Sequence, residues 1–473
     1  MNKNRRIYLL SPKDLTPETI AVTFAKTSRS PKPFDEIASE LTDERSAQFH
    51  EKWVVGYGHA SVAEHAVLHL ALENVSRLAI ETIEGNRLAS YTEKSSRYQQ
   101  WDEDAFYVPE EIKGSSLEEP YIETCKRLFK SYQESIPKVE VWLKSKKPKE
   151  NDEKDKAYQR RIMGEVIDNC RFFLPAASLA NVGMTMNARS LEYAICKMMS
   201  SPLKEVQEIG EKLHEVGQSE APTLIKYAAS NRYLVNTRNK FFAHAQHLPK
   251  ADDKEVFQLI DWDRNGEVKV LAAVLYRFGR DGDYQSCLNY VSSLSEEELR
   301  ELSERLMADR GKFDQPLREF EYAQMTFEVV MDQGAYFEFK RHRMMTQTVK
   351  NLSPVDGFAI PKAISEAGYG GEYQAAMTRA AEVYAQIAEN NPDAASYIIP
   401  NGFNRRVLFT MNLREFYNFC RLRSAENAHF SIRRISQRMA EKIEEIYPIL
   451  SQYFDRPHGE TWRDIEKCYF SAV

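Results

Sequence analysis

The chain contains no Cys-x-x-Cys pair. Its six cysteines, Cys125, Cys170, Cys196, Cys287, Cys420 and Cys468, are scattered, which excludes the spacings of a zinc ribbon or a disulfide framework and suits a reducing compartment. His-Glu-x-x-His is absent too, and the two histidines of Gly58-His59-Ala60-Ser61-Val62-Ala63-Glu64-His65 are spaced for no single helical face, so a metal centre is not expected. Long apolar runs are missing: nothing approaches the roughly 18 residues of a membrane span. Met1-Asn-Lys-Asn-Arg-Arg-Ile-Tyr-Leu-Leu10 meets Ser-Pro-Lys-Asp too soon for a secretory signal. There is no basic excess, since a net charge of −6 with 28% charged residues argues against a bulk grip on nucleic acid or anionic lipid. Asp261-Trp-Asp263-Arg-Asn265-Gly266 imitates a calcium loop but ends on Ala272 where a bidentate Glu is required, and reads as a turn before a helix. These absences lead us to expect a reduced, soluble, cytoplasmic protein.

What is present is a module written twice. Thr185-Met186-Asn187-Ala188-Arg189 returns as Thr410-Met411-Asn412-Leu413-Arg414, and Arg87-Leu88-Ala89-Ser90-Tyr91-Thr92 is echoed by Arg343-Met344-Met345-Thr346-Gln347-Thr348. At 473 residues with 42% apolar content the chain exceeds what one core usually supports, so two domains are expected. The boundaries read as 1–235 and 250–473, with the join near Asn231 to Asp253. Each half opens on a β-like segment (Ile7 to Leu10; Val256 to Ile260) and a helix (Glu18 to Ala25; Val268 to Arg277). A longer helical stretch follows in each (Ser39 to Gly56; Ser295 to Ala308), with apolar residues at three- and four-residue spacing. The common order supports a tandem duplication. The first copy is longer between its motifs, around 110–161, where Lys144-Ser-Lys-Lys-Pro-Lys-Glu-Asn-Asp-Glu-Lys154 reads as a solvated insertion.

The copies kept different charges. Arg341-His342-Arg343, after the apolar stretch Gly334 to Phe339, offers charge-assisted donors for an anion or is a surface basic cluster. The first copy has Gly85-Asn86-Arg87 there but continues as Tyr91-Thr92-Glu93-Lys94-Ser95-Ser96-Arg97-Tyr98. That set satisfies a polar ring, its sugar and its phosphate, or it is a capped polar loop. Asn412 with Glu415 begins a helix. Arg414, Asn418 and Arg421 form one polar stripe on it, and Arg423 projects from another side. Duplication with complementary loss points to one composite site built from unlike halves.

These residues together resemble the flavin-dependent thymidylate synthases. The resemblance rests on Gly58 to His65, Val75-Ser-Arg77 and Arg87 to Tyr98, with Ser95 at the family's spacing after Arg87. It continues through Arg171-Phe-Phe-Leu-Pro175, Asn187-Ala-Arg189, Arg341-His-Arg343 and Thr410 to Arg423. It implies an α+β fold, two tandem copies of a central mixed sheet with long helices, and a dimer of chains forming a pseudo-tetramer. It further implies methylation of dUMP to dTMP with methylenetetrahydrofolate as carbon donor, FAD as hydride source and NADPH recharging the flavin. By resemblance, Arg87, Glu93, Ser95, Arg97, Tyr98, Arg171 and Arg423 hold the nucleotide. Ser61, Arg341, His342, Arg343, Asn412, Arg414 and Asn418 hold FAD, and Arg97, Arg423 and His59 serve catalysis.

Departures from the family pattern are complementary. The first half has Gly85-Asn86, Tyr193 and Met198 where the family has Arg-His, a flavin-contacting Asn and a second nucleotide Arg. The second half has Val349, Asn351, Ser353 and Ser396 where Glu, Ser, Arg and the counterpart of Arg171 would stand. Gly85-Asn86 and Glu338 also alter the neighbourhood of the base. Two other readings therefore stand beside the first: a flavin enzyme acting on another pyrimidine nucleotide or carbon donor, and a non-catalytic flavin- or nucleotide-binding protein.

Overall fold

The computed structural model describes residues 6–56, 60–97, 99–245, 247–248 and 256–471. The chain forms two compact units that cut across sequence order. The first unit holds Met1–Lys94, Phe106–Gly114 and Ala177–Lys250, and the second Ser95–Ala105, Ser115–Ala176 and Ala251–Val473. Two segments of the sequence's first half are thus part of the second unit.

In the first unit β1 (Val67–Ser76), β2 (Ala89–Glu93) and β3 (Leu179–Asn187) form an antiparallel sheet of order β1-β3-β2. β1 bulges between Leu72 and Val75, where Asn74 takes φ 55° and donates its N–H to the Asn181 side chain at 3.0 Å, a conformation that Asn tolerates better than most residues. Ser76 then caps the helix Arg77–Glu84 by accepting the Ala79 N–H at 3.0 Å.

The second unit repeats this plan with one strand more. β4 (Phe257–Trp262), β5 (Gln324–Asp332), β6 (Thr346–Val349) and β7 (Asn404–Asn412) lie in the order β4-β5-β7-β6. Asp332 caps the helix Gln333–Phe339 through the Ala335 N–H at 2.8 Å. The echoed asparagines are also caps: Asn187 accepts the Ser190 N–H and Asn412 the Glu415 N–H, both at 2.9 Å. A further match has no motif to announce it. Glu18 accepts the Thr223 and Leu224 N–H groups at 2.8 and 3.1 Å, and Glu267 accepts those of Ile449 and Leu450 at 2.8 and 2.6 Å. Each carboxylate ties its copy's opening helix to its closing segment.

Several expectations are corrected. Every pairing in both sheets is antiparallel, so neither sheet is mixed. The strand–helix–strand passages β1 to β2 and β5 to β6 leave a gap, and the later strand β3 or β7 fills it running the other way. Ile7 to Leu10 is not a strand, and Ile7 and Leu9 are exposed, whereas its expected counterpart β4 pairs with β5. Ser39 to Gly56 is not one helix but the end of Phe34–Ser39, then Asp43–Phe49 and a wide turn His50–Gly56. Thr42 restarts the chain by capping Arg45 N.

The region 110–161 is largely folded. The helix Glu118–Lys146 buries Tyr121, Cys125, Leu128 and Tyr132, an apolar stripe at helical spacing, and Asp155–Cys170 buries Ile162, Val166 and Ile167. The turn between these helices is mostly exposed, and Lys147–Glu165 and Arg161–Glu153 ion pairs brace it. Charged residues interleaved with that stripe had hidden it. Among the described residues no helix is long and apolar enough to cross a membrane, and no group of His, Cys, Asp and Glu is placed to hold a metal.

Candidate active site

The second unit gathers three arginines from distant parts of the sequence. Arg97 follows the turn after β2, Arg171 ends the helix Asp155–Cys170, and Arg423 is the last residue of the helix Leu413–Arg423. Glu338, near the end of the helix Gln333–Phe339, is their common partner. Its Oε2 accepts from Arg423 Nη1 at 2.9 Å, and its Oε1 lies 3.9 Å from both Arg97 Nη1 and Arg171 Nη2. Asp168, one turn before Arg171, takes the Arg97 fork in two hydrogen bonds of 2.8 and 2.7 Å, the bidentate geometry that fixes a guanidinium plane. Arg97 Nη1 also donates to the Asn427 carbonyl at 3.1 Å.

Burial makes this cluster electrostatically strong. The Arg171 side chain is 2% exposed and Glu338 7%, so water screens little of their attraction. Burial lowers the Arg171 pKa while Asp168 and Glu338 oppose the shift, and burial likewise lowers that of Arg423. Both remain guanidinium ions at any working pH. The Arg171 Nη2 also donates to the Gly334 carbonyl at 3.1 Å, and a Cβ at Gly334 would stand 3.0 Å from Asp332 Oδ1 and 3.4 Å from that nitrogen. Glycine there lets the arginine lie against the helix start.

His342 is buried beside the cluster, and its Nε2 accepts from Arg423 Nε at 3.0 Å. Burial, with Arg423, Arg343 and Arg341 adding to it, pushes its pKa down to about 3. The ring is therefore neutral and serves as an acceptor that orients Arg423. His429 stacks on Phe430 and its Nε2 bonds the Asp168 carbonyl at 3.0 Å, with its pKa pushed well below the ordinary range, chiefly by burial.

The other expected residues are placed as follows. Arg341 is exposed and Arg343 half-buried at the start of the turn into β6. Arg414 donates to the Pro316 carbonyl at 2.8 Å and to Glu321 at 3.1 Å, and Asn418 accepts from Arg421 at 3.1 Å. Ser95 accepts the Arg97 N–H at 3.2 Å. Ser61 belongs to the first unit, on a cavity of about 800 Å³ lined with Phe24, Arg29, Phe49, Trp53 and His65. Arg87, also there, is exposed. Glu93 pairs with Arg77 at 2.9 Å, their side chains 1% and 5% exposed, so its carboxylate is already engaged within the first unit. His59 and Tyr98 lie outside the described residues. Asp168 and His429 were not anticipated. The only signal for Asp168 was its place one helical turn before Arg171.

The sequence model of the thymidylate synthase complementing protein family matches residues 10–223 and again 258–449. The chain belongs to this family. A UPF0159 protein of Thermoplasma acidophilum is 30% identical over 87% of the chain and 89% of its own length. A UPF0159 protein of Chlamydia muridarum is 28% identical over 88% and 82%. A flavin-dependent thymidylate synthase of Clostridium tetani is 28% identical over 45% of this chain and 82% of its own length. The UPF0159 relatives thus align with most of the chain, and the synthase with a length equal to about half of it.

For a flavin dinucleotide the donor chemistry in the second unit fits. Arg341, Arg343 and Arg421 supply guanidinium groups suited to a pyrophosphate, and Asn418 adds an amide. The Asn412 side-chain oxygen is engaged as a cap.

Proposed function

We propose that this chain is a flavin-dependent methyltransferase of pyrimidine nucleotides, converting dUMP to dTMP with methylenetetrahydrofolate, FAD and NADPH. The observation that carries this reading is the convergence of Arg97, Arg171 and Arg423 on one carboxylate in a partly buried cluster, in a chain whose family is named for thymidylate synthesis. Arg341, His342, Arg343, Asn412, Arg414 and Asn418 are the proposed flavin contacts of the second unit, and Ser61 enters by resemblance alone. When bound, the flavin supplies the hydride.

The chain's own residues bind and orient. Arg97 and Arg423, held by Asp168, Glu338 and His342, present fixed positive charge to a pyrimidine carbonyl and polarise the ring. Arg171 anchors the cluster from below. Ser95 is a binding hydroxyl, not a nucleophile. Arg87, Glu93, Tyr98 and the catalytic role of His59 enter by resemblance alone. We also propose that the protein is cytoplasmic and pairs with a second copy. Support for pairing is the helix Arg232–Ala245, which buries none of its residues and exposes Tyr233 and Phe241.

Glu338 favours one other reading, a pyrimidine other than dUMP, because it sets a carboxylate among the nucleotide arginines. The test is turnover of purified protein with dUMP, methylenetetrahydrofolate, FAD and NADPH, with the product identified by mass. A methylated product is expected, and Arg97→Ala should abolish pyrimidine binding while leaving flavin in place. Unchanged dUMP affinity in Arg97→Ala, or no product from any pyrimidine nucleotide, contradicts the reading.

A further inference from the structure

Glu338 occupies the position that an anionic ligand group would take among three guanidiniums. Both its oxygens face them, at 2.9 Å from Arg423 and 3.9 Å from Arg97 and Arg171. Asp168 neutralises Arg97 from its other side. Three positive charges thus already meet two carboxylates of the chain itself. The spacing on the Oε1 side is too long for a hydrogen bond, and neither Glu338 Oε1 nor Arg171 Nε has a hydrogen-bond partner although both are buried.

A phosphate ester suits this site poorly. At neutral pH its oxygens accept, and it would bring negative charge against Glu338 in a poorly screened site. A ring edge carrying an N–H beside a C=O suits it, giving its proton to the carboxylate and accepting from the partly exposed Arg97 or Arg423 guanidinium.

We propose that Glu338 is the specificity-determining residue of this site: it fills the anion seat of the Arg97/Arg171/Arg423 cluster, so that the cluster receives an uncharged pyrimidine edge and excludes a phosphate. The inference rests on the pyrimidine-binding reading above and fixes the charge a ligand may carry into the cluster. A phosphate on the same ligand has to lie elsewhere.

The test is calorimetric titration of the full chain, wild type and Glu338→Gln, with deoxyuridine, dUMP and inorganic phosphate. In the wild type, deoxyuridine and dUMP should bind within about threefold of each other, with phosphate not competing; in Glu338→Gln, dUMP and inorganic phosphate should each gain about tenfold or more, the order expected for relieving one like-charge contact. A wild type that prefers dUMP by about a hundredfold, with inorganic phosphate competing, overturns the inference without any variant. Unchanged phosphate affinity in a folded Glu338→Gln overturns it as well. If no pyrimidine binds either protein while the variant gains phosphate, the anion-seat assignment stands and the pyrimidine reading falls. If pyrimidines bind and the variant leaves phosphate unchanged, the reverse holds.

Discussion

The two copies share a scaffold and differ in what they place on it. Sheet register aligns Asn187 with Asn412 and Glu93 with Val349. By the same count Ala177 aligns with Gly402, Arg171 with Ser396, Asn86 with His342 and Met198 with Arg423. In the first copy the turn after the Arg77–Glu84 helix closes on itself, with Asn86 and Tyr91 both donating to the Ile83 carbonyl at 2.9 Å. In the second, the equivalent turn carries Arg341-His342-Arg343, and His342 turns inward to hold Arg423. The same backbone is a self-satisfied turn in one place and the wall of a charged cluster in the other. Duplication supplied two frames, and the side chains made them unequal.

Exchanging residues between the copies breaks the comparison in measurable ways. The largest effect is expected from Arg171→Ser, which installs the second copy's residue. It removes the buried guanidinium that faces Glu338 and donates to the Gly334 carbonyl, and should cost about 3 kcal/mol in urea unfolding, while Arg87→Ala at an exposed position should stay within about 0.5 kcal/mol. Equal, small losses would show that the cluster is not the buried anchor described.

Gly402→Ala installs the residue at Ala177. Its Cβ would stand 2.1 Å from the Tyr373 hydroxyl, which donates to the Ala359 carbonyl at 2.7 Å, and 3.3 Å from the Phe172 carbonyl. Overpacking of this kind should cost about 1–3 kcal/mol, and an unchanged unfolding midpoint would contradict the packing.

His342→Asn installs Asn86 and sharpens the electrostatic side. The folded pKa of His342 is about 3, below an ordinary value of about 6.5 for an unfolded chain. Between these values the unfolded chain binds a proton that the folded one does not, so stability falls as pH falls, by up to about 1.4 kcal/mol per pH unit. Moving from pH 7 to pH 5 should therefore destabilise wild type more than His342→Asn, and identical pH profiles would refute a buried neutral imidazole. His429 has the same sign in both proteins and cancels.

The smallest effect concerns the echoed caps. Asn187→Ala and Asn412→Ala should each lose about 1 kcal/mol. If only the second also weakens flavin binding, Asn412 has a ligand role beyond capping. If flavin affinity is unchanged in both, the echoed asparagines are caps and nothing more.

The sequence made the duplication legible because helix caps and sheet registers depend on local residues: Ser295 starts the helix Glu296–Met307 as its pattern requires. The arginines of the cluster were legible as types at family spacings. Their partners were not. Glu338 was placed near the base but not as the shared partner of three arginines, Asp168 looks like an ordinary surface carboxylate until tertiary packing buries it, and the Glu18 and Glu267 braces reach residues some two hundred positions away. Ile7 to Leu10 has a strand's composition, but strand formation depends on a paired neighbour. The stripe of Tyr121, Cys125, Leu128 and Tyr132 was masked by the charges between its members.

The most direct test is the absorption spectrum of the purified chain during titration with deoxyuridine or dUMP, in wild type and in Arg423→Met, which installs Met198's residue. The account predicts bound flavin in both proteins, with the pyrimidine perturbing the flavin bands of wild type but not those of the folded variant. A protein that takes up no flavin, or a variant whose bands respond as the wild type's do, would contradict it.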